Sequence, residues 1–203
     1  VQPQSETVWQ QAKRYNVPCI AFINKMDRVG ANFSKAVSSI DEQLSANPLA
    51  IQIPIGSEDQ FEGVIDLVTM KELRFKGESW GSEFEQGEIH EELRSQAEDK
   101  RRDLLEKLSL YDDDLLEKII EEQKVDQDEI IKVLRTATLD GLITPVLCGS
   151  AFKNKGVQQV IDAVVHYLPS PLDIPPVEGD HPVTKKLVSR NVASSDPMCA
   201  LAF

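Results

Sequence analysis

The chain has 203 residues, 41% of them hydrophobic, which is enough for one core with a smaller subdomain and too little for several large domains. Its formal net charge of -12 repels phosphate backbones, so direct nucleic-acid binding is not expected of this acidic segment. No apolar run reaches the roughly 18 to 20 residues of a membrane span, and no basic-plus-hydrophobic leader is written at the start.

A soluble protein is therefore expected, in the bacterial cytoplasm, with the mitochondrial matrix as the alternative. Cys19, Cys148 and Cys199 are far apart without Cys-x-x-Cys spacing, which fits a reducing compartment and gives a structural zinc site no support. The start on Val1 and the apolar close from Met198 to Phe203 read as cuts in a longer polypeptide.

In chain order, Ser5 to Asn16 has helical composition with Val8, Ala12 and Tyr15 on one stripe, and Pro18 then enforces extension. Val17 to Ile23 is a nearly unbroken apolar run, the pattern of a parallel strand covered on both faces. A polar loop follows, then an amphipathic helix through Phe33, Val37, Ile40 and Leu44, and an alternating strand on Ile51, Ile53 and Ile55. This alternation of helix and strand is the α/β signature.

From Gly56 to about Thr138 the character changes. Short strands at Val64–Val68 and Glu72–Phe75 give way to acidic helices at Glu91–Leu108 and Asp113–Glu122, and this stretch reads as an inserted α+β subdomain. Asp112, Asp113 and Asp114 read as a helix start, where carboxylates meet the positive end of the helix dipole. Asp126 with Glu129 has the spacing of a capping box, and Gly141 is a helix stop.

Leu142–Cys148 restores the buried-strand pattern, and Val157, Val160, Ile161, Val164, Val165 and Leu168 make one helix face. Pro169, Pro171, Pro175, Pro176 and Pro182 then favour an extended, semi-rigid spacer.

The strongest chemical signal is Asn24-Lys25-Met26-Asp27, just past the carboxyl end of the first strand, where open α/β sheets bind ligands. A carboxylate there can accept two parallel hydrogen bonds from guanine's ring N–H and exocyclic amine, a donor pair adenine lacks. Asp27 is accordingly the specificity residue. The stem of Lys25 can cover the base face, the Asn24 amide can lock neighbouring loops, and Met26 supplies backbone. After the second buried strand, Gly149-Ser150-Ala151-Phe152-Lys153 forms a small-residue turn whose amides can face a carbonyl oxygen such as guanine's.

These motifs, with Gly30-Ala31-Asn32-Phe33, the run GSAFKNKGV from Gly149 to Val157, and LPSPLDIPP from Leu168 to Pro176, resemble the elongation factor G family of translational GTPases. The resemblance runs from Val1 to about Gly179. It implies a partial doubly wound sheet of the P-loop GTPase type, with residues 1–55 and 141–168 in the GTP-binding domain and 56–140 inserted. Residues 169–195 would be a linker, and 196–203 the first strand of a following β-barrel.

The resemblance gives guanine recognition in GTP or GDP to Asn24, Lys25, Met26 and Asp27, with Ser150, Ala151 and Phe152 as the opposite wall. It implies the ribosome as partner of the whole protein, with the ribosomal stalk protein meeting residues 56–140.

None of the ten glycines satisfies G-x-x-x-x-G-K-[ST], so no phosphate loop is written here. The family's switch segments are also absent, and His90, His166 and His181 sit in none of their contexts and read as surface or helix residues. No catalytic residue is assigned, Mg2+ is expected on ligands outside this chain, and the segment by itself is expected to be silent in hydrolysis. Two other readings stay open: a non-catalytic docking module centred on the acidic insertion, and a ribosome-recycling or ribosome-protection relative.

Overall fold

Helix α1, Pro3–Arg14, opens on a proline, which the first helical turn tolerates because its amide has no partner to lose. In the computed structural model, which describes residues 1–76, 83–173, 175–181, 183–193, 195–198 and 200, the expected stripe of α1 does not bury. Val8 and Tyr15 are exposed, and the anchor is Trp9, whose indole N–H donates to the Leu44 carbonyl at 3.0 Å. A large ring with a polar handle outcompetes smaller neighbours for the inward position.

The parallel layer contains β1 (Ala21–Ile23), β2 (Pro48–Ala50) and β7 (Thr144–Cys148), in the order β1-β7-β2. Strand β7 is buried along its whole length, as its continuous apolar run requires when both faces are covered. Strand β1 is shorter and less covered than its sequence suggested. It stands at the edge of this sheet, half-buried, and Val17 is exposed. Helix α2, Phe33–Leu44, starts at Asn32, whose side chain accepts the Lys35 amide at 2.8 Å, and buries Phe33 and Leu44 at its two ends.

The run Ile51–Ile55 is not one strand of the parallel layer. Ile51 donates to the Val146 carbonyl at 3.1 Å and accepts from the Leu67 amide at 3.0 Å, so a single residue bonds into both sheets. Beyond it β3 (Gln52–Ile55) joins β4 (Gly63–Asp66), β5 (Lys71–Phe75) and β6 (Phe84–Gly87) in an antiparallel sheet ordered β3-β4-β5-β6. Ile51, Ile53 and Ile55 are all buried, so the apolar pattern persists while the hydrogen-bonding partner changes. Edge strand β6 is mostly exposed and carries no apolar alternation for sequence reasoning to find.

Helices α3 (Glu91–Leu108), α4 (Asp113–Ile120) and α5 (Gln127–Leu139) bury Ala97, Leu104, Leu108, Leu115, Ile130 and Leu134 in the shared core. Asp112 caps α4 by accepting the Leu115 amide at 2.8 Å, and Asp126 with Glu129 forms the expected capping box of α5. Gly141, at φ +68°, ends the α5 region in the left-handed conformation.

Helix α6, Val157–Tyr167, is rotated from the expected face. Gln159, Ala163 and Tyr167 point inward while Ile161, Val164 and Val165 are exposed. Arg135 on α5 fixes that arrangement, donating to the carbonyls of His166 and Leu168 at 2.9 Å each.

His90 is more than a surface residue. Its backbone N–H and its Nδ1 lie 3.1 and 2.8 Å from Oε2 of the buried Glu72, and Arg74 bonds the other oxygen. Burial pushes the Glu72 pKa up, but these hydrogen bonds outweigh it and the net direction is downward.

All of this belongs to one compact unit, Val1–Leu168; the second comprises Pro169–Phe203. Within the second, the stretch expected as extended spacer contains a hairpin of β8 (Val177–Asp180) and β9 (Leu187–Arg190). His181 closes its turn, Nδ1 accepting the amides of Val183 and Thr184 at 3.2 Å each. Local side-chain acceptors of this kind substitute for turn signals that proline counting overlooks. Of the terminal strand expected over Asp196–Phe203, Asp196, Pro197, Met198 and Ala200 are described and lie in no strand, and the other four residues fall outside the described residues. Among the described residues, no helix is long and apolar enough to cross a membrane.

Candidate guanine-reading loops

Strands β1 and β7 are parallel neighbours in the register Ile23↔Cys148, so the loops leaving their carboxyl ends emerge side by side. Backbone bonds continue past the strands: Gly149 donates to the Ile23 carbonyl and Met26 donates to the Gly149 carbonyl, each at 3.0 Å. The second loop is pinched by paired bonds between Ser150 and Lys155, at 2.9 and 3.0 Å. Only glycine fits at its start, where a Cβ on Gly149 would stand 2.3 Å from the Lys155 carbonyl oxygen and 2.7 Å from the Phe22 ring.

Four of the seven sequence-selected residues converge. Asn24 Oδ1 accepts the Ala151 amide at 2.9 Å and the Lys25 amide at 2.7 Å, which ties the first loop to the second. The Asp27 carboxylate accepts a hydrogen bond from the Ser150 side chain, and its Oδ2 lies 3.1 Å from Lys153 Nζ. Ser150 is buried, while Asp27 is partly open to solvent. The Ser150 hydrogen bond first, and Lys153 with it, hold the Asp27 pKa below its ordinary value of 3.8 against the opposing effect of desolvation.

The remaining three play different parts. Met26 is 1% exposed, so its side chain belongs to the core and its backbone forms the junction. Lys25 takes a left-handed φ of +66° and is exposed, and Phe152 is 84% exposed. The Ala151 amide, anticipated as a donor to a base carbonyl, is engaged by Asn24 here.

Sequence reasoning missed Lys153 as the cation beside Asp27, although it stands within the same short motif. It also missed Glu58 and Lys155. Glu58 Oε1 accepts the Gly30 amide at 2.7 Å, and Lys155 Nζ donates to the Phe61 carbonyl at 2.6 Å. Those contacts depend on tertiary placement and leave no local signature.

The two loops are thus joined at adjacent parallel strand ends, with the Asp27 carboxylate beside Lys153 of the second loop. Residues 1–170 match the Elongation factor Tu GTP binding domain. The chain belongs to that family. Its fold class is α/β, on the parallel sheet of a GTPase-type domain. Over all 203 residues it is 50% identical to elongation factor G of Thermotoga petrophila and 50% identical to that of Thermotoga maritima.

The elongation factor G of Thermotoga neapolitana is 51% identical over the same span. The chain spans 29% of the length of each of these relatives. Among solved structures, a protein from Thermus thermophilus superposes with a TM-score of 0.73 at 25% identity, over 93% of this chain and 29% of that one.

Proposed function

We propose that Asn24, Lys25, Met26, Asp27, Ser150, Ala151 and Phe152 form the guanine-binding part of a translation elongation factor of the G type, whose whole protein hydrolyses GTP to drive ribosomal translocation. The observation that carries this reading is the Asp27 carboxylate, kept ionised by Ser150 and Lys153 at the strand ends. Its two oxygens suit the two parallel donors of guanine, and the Asn24–Ala151 bond holds the facing loops at one spacing. The Lys25 stem covers one face of the base, and Phe152, exposed on the second loop, belongs to the opposite wall.

GTP or GDP is the ligand. Mg2+ in the whole protein is held by ligands outside residues 1–203, and the phosphate chemistry lies outside them too. Residues 1–55 and 141–168 are read as GTP-binding domain, 56–140 as an insertion, 169–195 as a linker and 196–203 as the first strand of a β-barrel. The compartment is the bacterial cytoplasm and the partner is the ribosome.

Residues 56–140 meet the ribosomal stalk protein in this reading. Leu110, Leu116 and Ile120, exposed around α4, supply the apolar surface such a contact needs. Replacement of Ile120 by Asp is expected to abolish capture of the stalk protein, and unchanged capture would count against this surface.

Nucleotide competition tests the central assignment. Displacement of a fluorescent GDP from the whole protein by GTP and ATP should favour GTP by at least about 100-fold, the cost of leaving a charged acceptor unpaired. Equal displacement by the two nucleotides would remove the assignment.

A further inference from the structure

Both base-reading loops are tied to one short piece of the antiparallel sheet, the β3–β4 connection at residues 56–62. Its shape is tightly constrained. Gly56 has φ +73° and a Cβ there would stand 1.9 Å from the Gln60 carbonyl oxygen, while Glu58 takes a left-handed φ of +58°. From this connection Glu58 grips the first loop twice: its amide donates to the Met26 carbonyl at 2.9 Å, and its Oε1 accepts the Gly30 amide at 2.7 Å.

The second loop is gripped through Lys155. Its ammonium donates to the Phe61 carbonyl at 2.6 Å and lies 5.7 Å from the Phe61 ring centroid and 6.0 Å from that of Phe75. Phe61 is 1% exposed, so this end of the contact is anchored in the core.

We infer that Glu58 and Lys155 are positioning residues for base recognition: the β3–β4 connection sets the spacing of the two loops, so guanine selectivity depends on side chains other than those of Asn24–Asp27 and Ser150–Phe152. The inference rests on the base-reading assignment above. The Met26–Gly149 and Asn24–Ala151 bonds join the two loops close to the strand ends and leave their outer parts free to shift. Contacts at Gly30 and Lys155 lie beyond these bonds on each loop and remove that freedom. A disturbance of the antiparallel sheet thereby reaches the base without any residue in between touching nucleotide.

The test measures GDP, IDP and ADP affinity in the whole protein that contains residues 1–203, for wild type and for Glu58→Ala, Lys155→Met and Lys155→Arg. IDP lacks the exocyclic amine, so the GDP-to-IDP ratio reports how well Asp27 is aimed. Glu58→Ala and Lys155→Met are each expected to weaken GDP roughly 5- to 30-fold and to compress the GDP-to-IDP ratio, with most of the loss recovered in Lys155→Arg.

A purely structural role would weaken GDP and IDP alike, and that result overturns the inference. Wild-type ratios in both variants overturn it too, while leaving base reading intact if wild type still prefers GDP to ADP. A wild type that does not prefer GDP to ADP removes the base-reading assignment and this inference with it.

Discussion

Asn24 Oδ1 accepts the Ala151 amide at 2.9 Å, joining residues 127 positions apart in sequence. Neither residue is catalytic in any ordinary sense. The bond matters because each loop on its own is a polar turn after a strand, and recognition of a planar base needs two walls at a fixed spacing. Parallel pairing of β1 with β7 brings the loops near each other, and this hydrogen bond joins them directly.

Replacement of Asn24 by Ala should therefore weaken GDP about 10-fold, the worth of one well-placed hydrogen bond at a binding site. Titration with a fluorescent GDP checks this. Hydrogen exchange at Ala151 should accelerate in the same variant, and an unchanged exchange rate would show that the bond does not hold the loop.

The pH dependence of binding follows from Asp27. Ser150 and Lys153 lower its folded pKa below 3.8, so the carboxylate remains charged well into acid. GDP affinity is expected to be flat from neutral pH down to about pH 5, then to fall only as protonation of Asp27 begins. A midpoint near neutrality in the binding profile would contradict the ionised-acceptor role.

The division between what the residues announced and what they concealed has a physical basis. Buried runs such as Ile143–Cys148 declare themselves because both faces of β7 are covered, and caps such as Asp126 with Glu129 are local chemistry; Leu142, at the start of the expected strand, is exposed and outside it. The convergence of Asn24, Asp27, Ser150 and Ala151 was legible because each short motif directly follows a strand, and the two strands are parallel neighbours.

Concealed features depend on choices between nearly equivalent packings. Ile51 alternates correctly with Ile53 and Ile55, yet no sequence pattern says that the sheet changes at that residue. On α6 Gln159, Ala163 and Tyr167 are buried while Ile161 and Val165 are exposed, so the more apolar face is outside. Lys155 and Glu58 act through partners far along the chain.

Stability should respond to the buried carboxylate of Glu72. Hydrogen bonds from Arg74 and His90 outweigh the cost of its burial and lower its folded pKa, so its contribution is present above the unfolded value near 4.3 and is lost as pH falls through the lower folded value. Glu72→Ala is expected to lower stability by about 1 to 3 kcal/mol at pH 7, discounted because both partners are partly exposed, and by less near pH 3. Urea unfolding at the two pH values measures the difference. An equal loss at both would assign the effect to packing.

The Asp126 cap gives a smaller counterpart. Its side chain and that of Glu129 reciprocally satisfy amides at the start of α5. Asp126→Ala should cost about 1 kcal/mol at neutral pH without altering GDP affinity. A parallel loss of nucleotide binding would show that α5 communicates with the loops more directly than its packing suggests.

The most direct test of guanine reading is Asp27→Asn in the whole protein, with GDP and XDP titrated against wild type and variant. Xanthine carries a carbonyl where guanine carries its amine, so an amide at position 27 can donate where the carboxylate could only accept. The account predicts that the variant loses GDP affinity by roughly 100-fold and prefers XDP, reversing the wild-type order. Unchanged GDP affinity, with no gain for XDP, would contradict the assignment of Asp27 as the residue that reads the base.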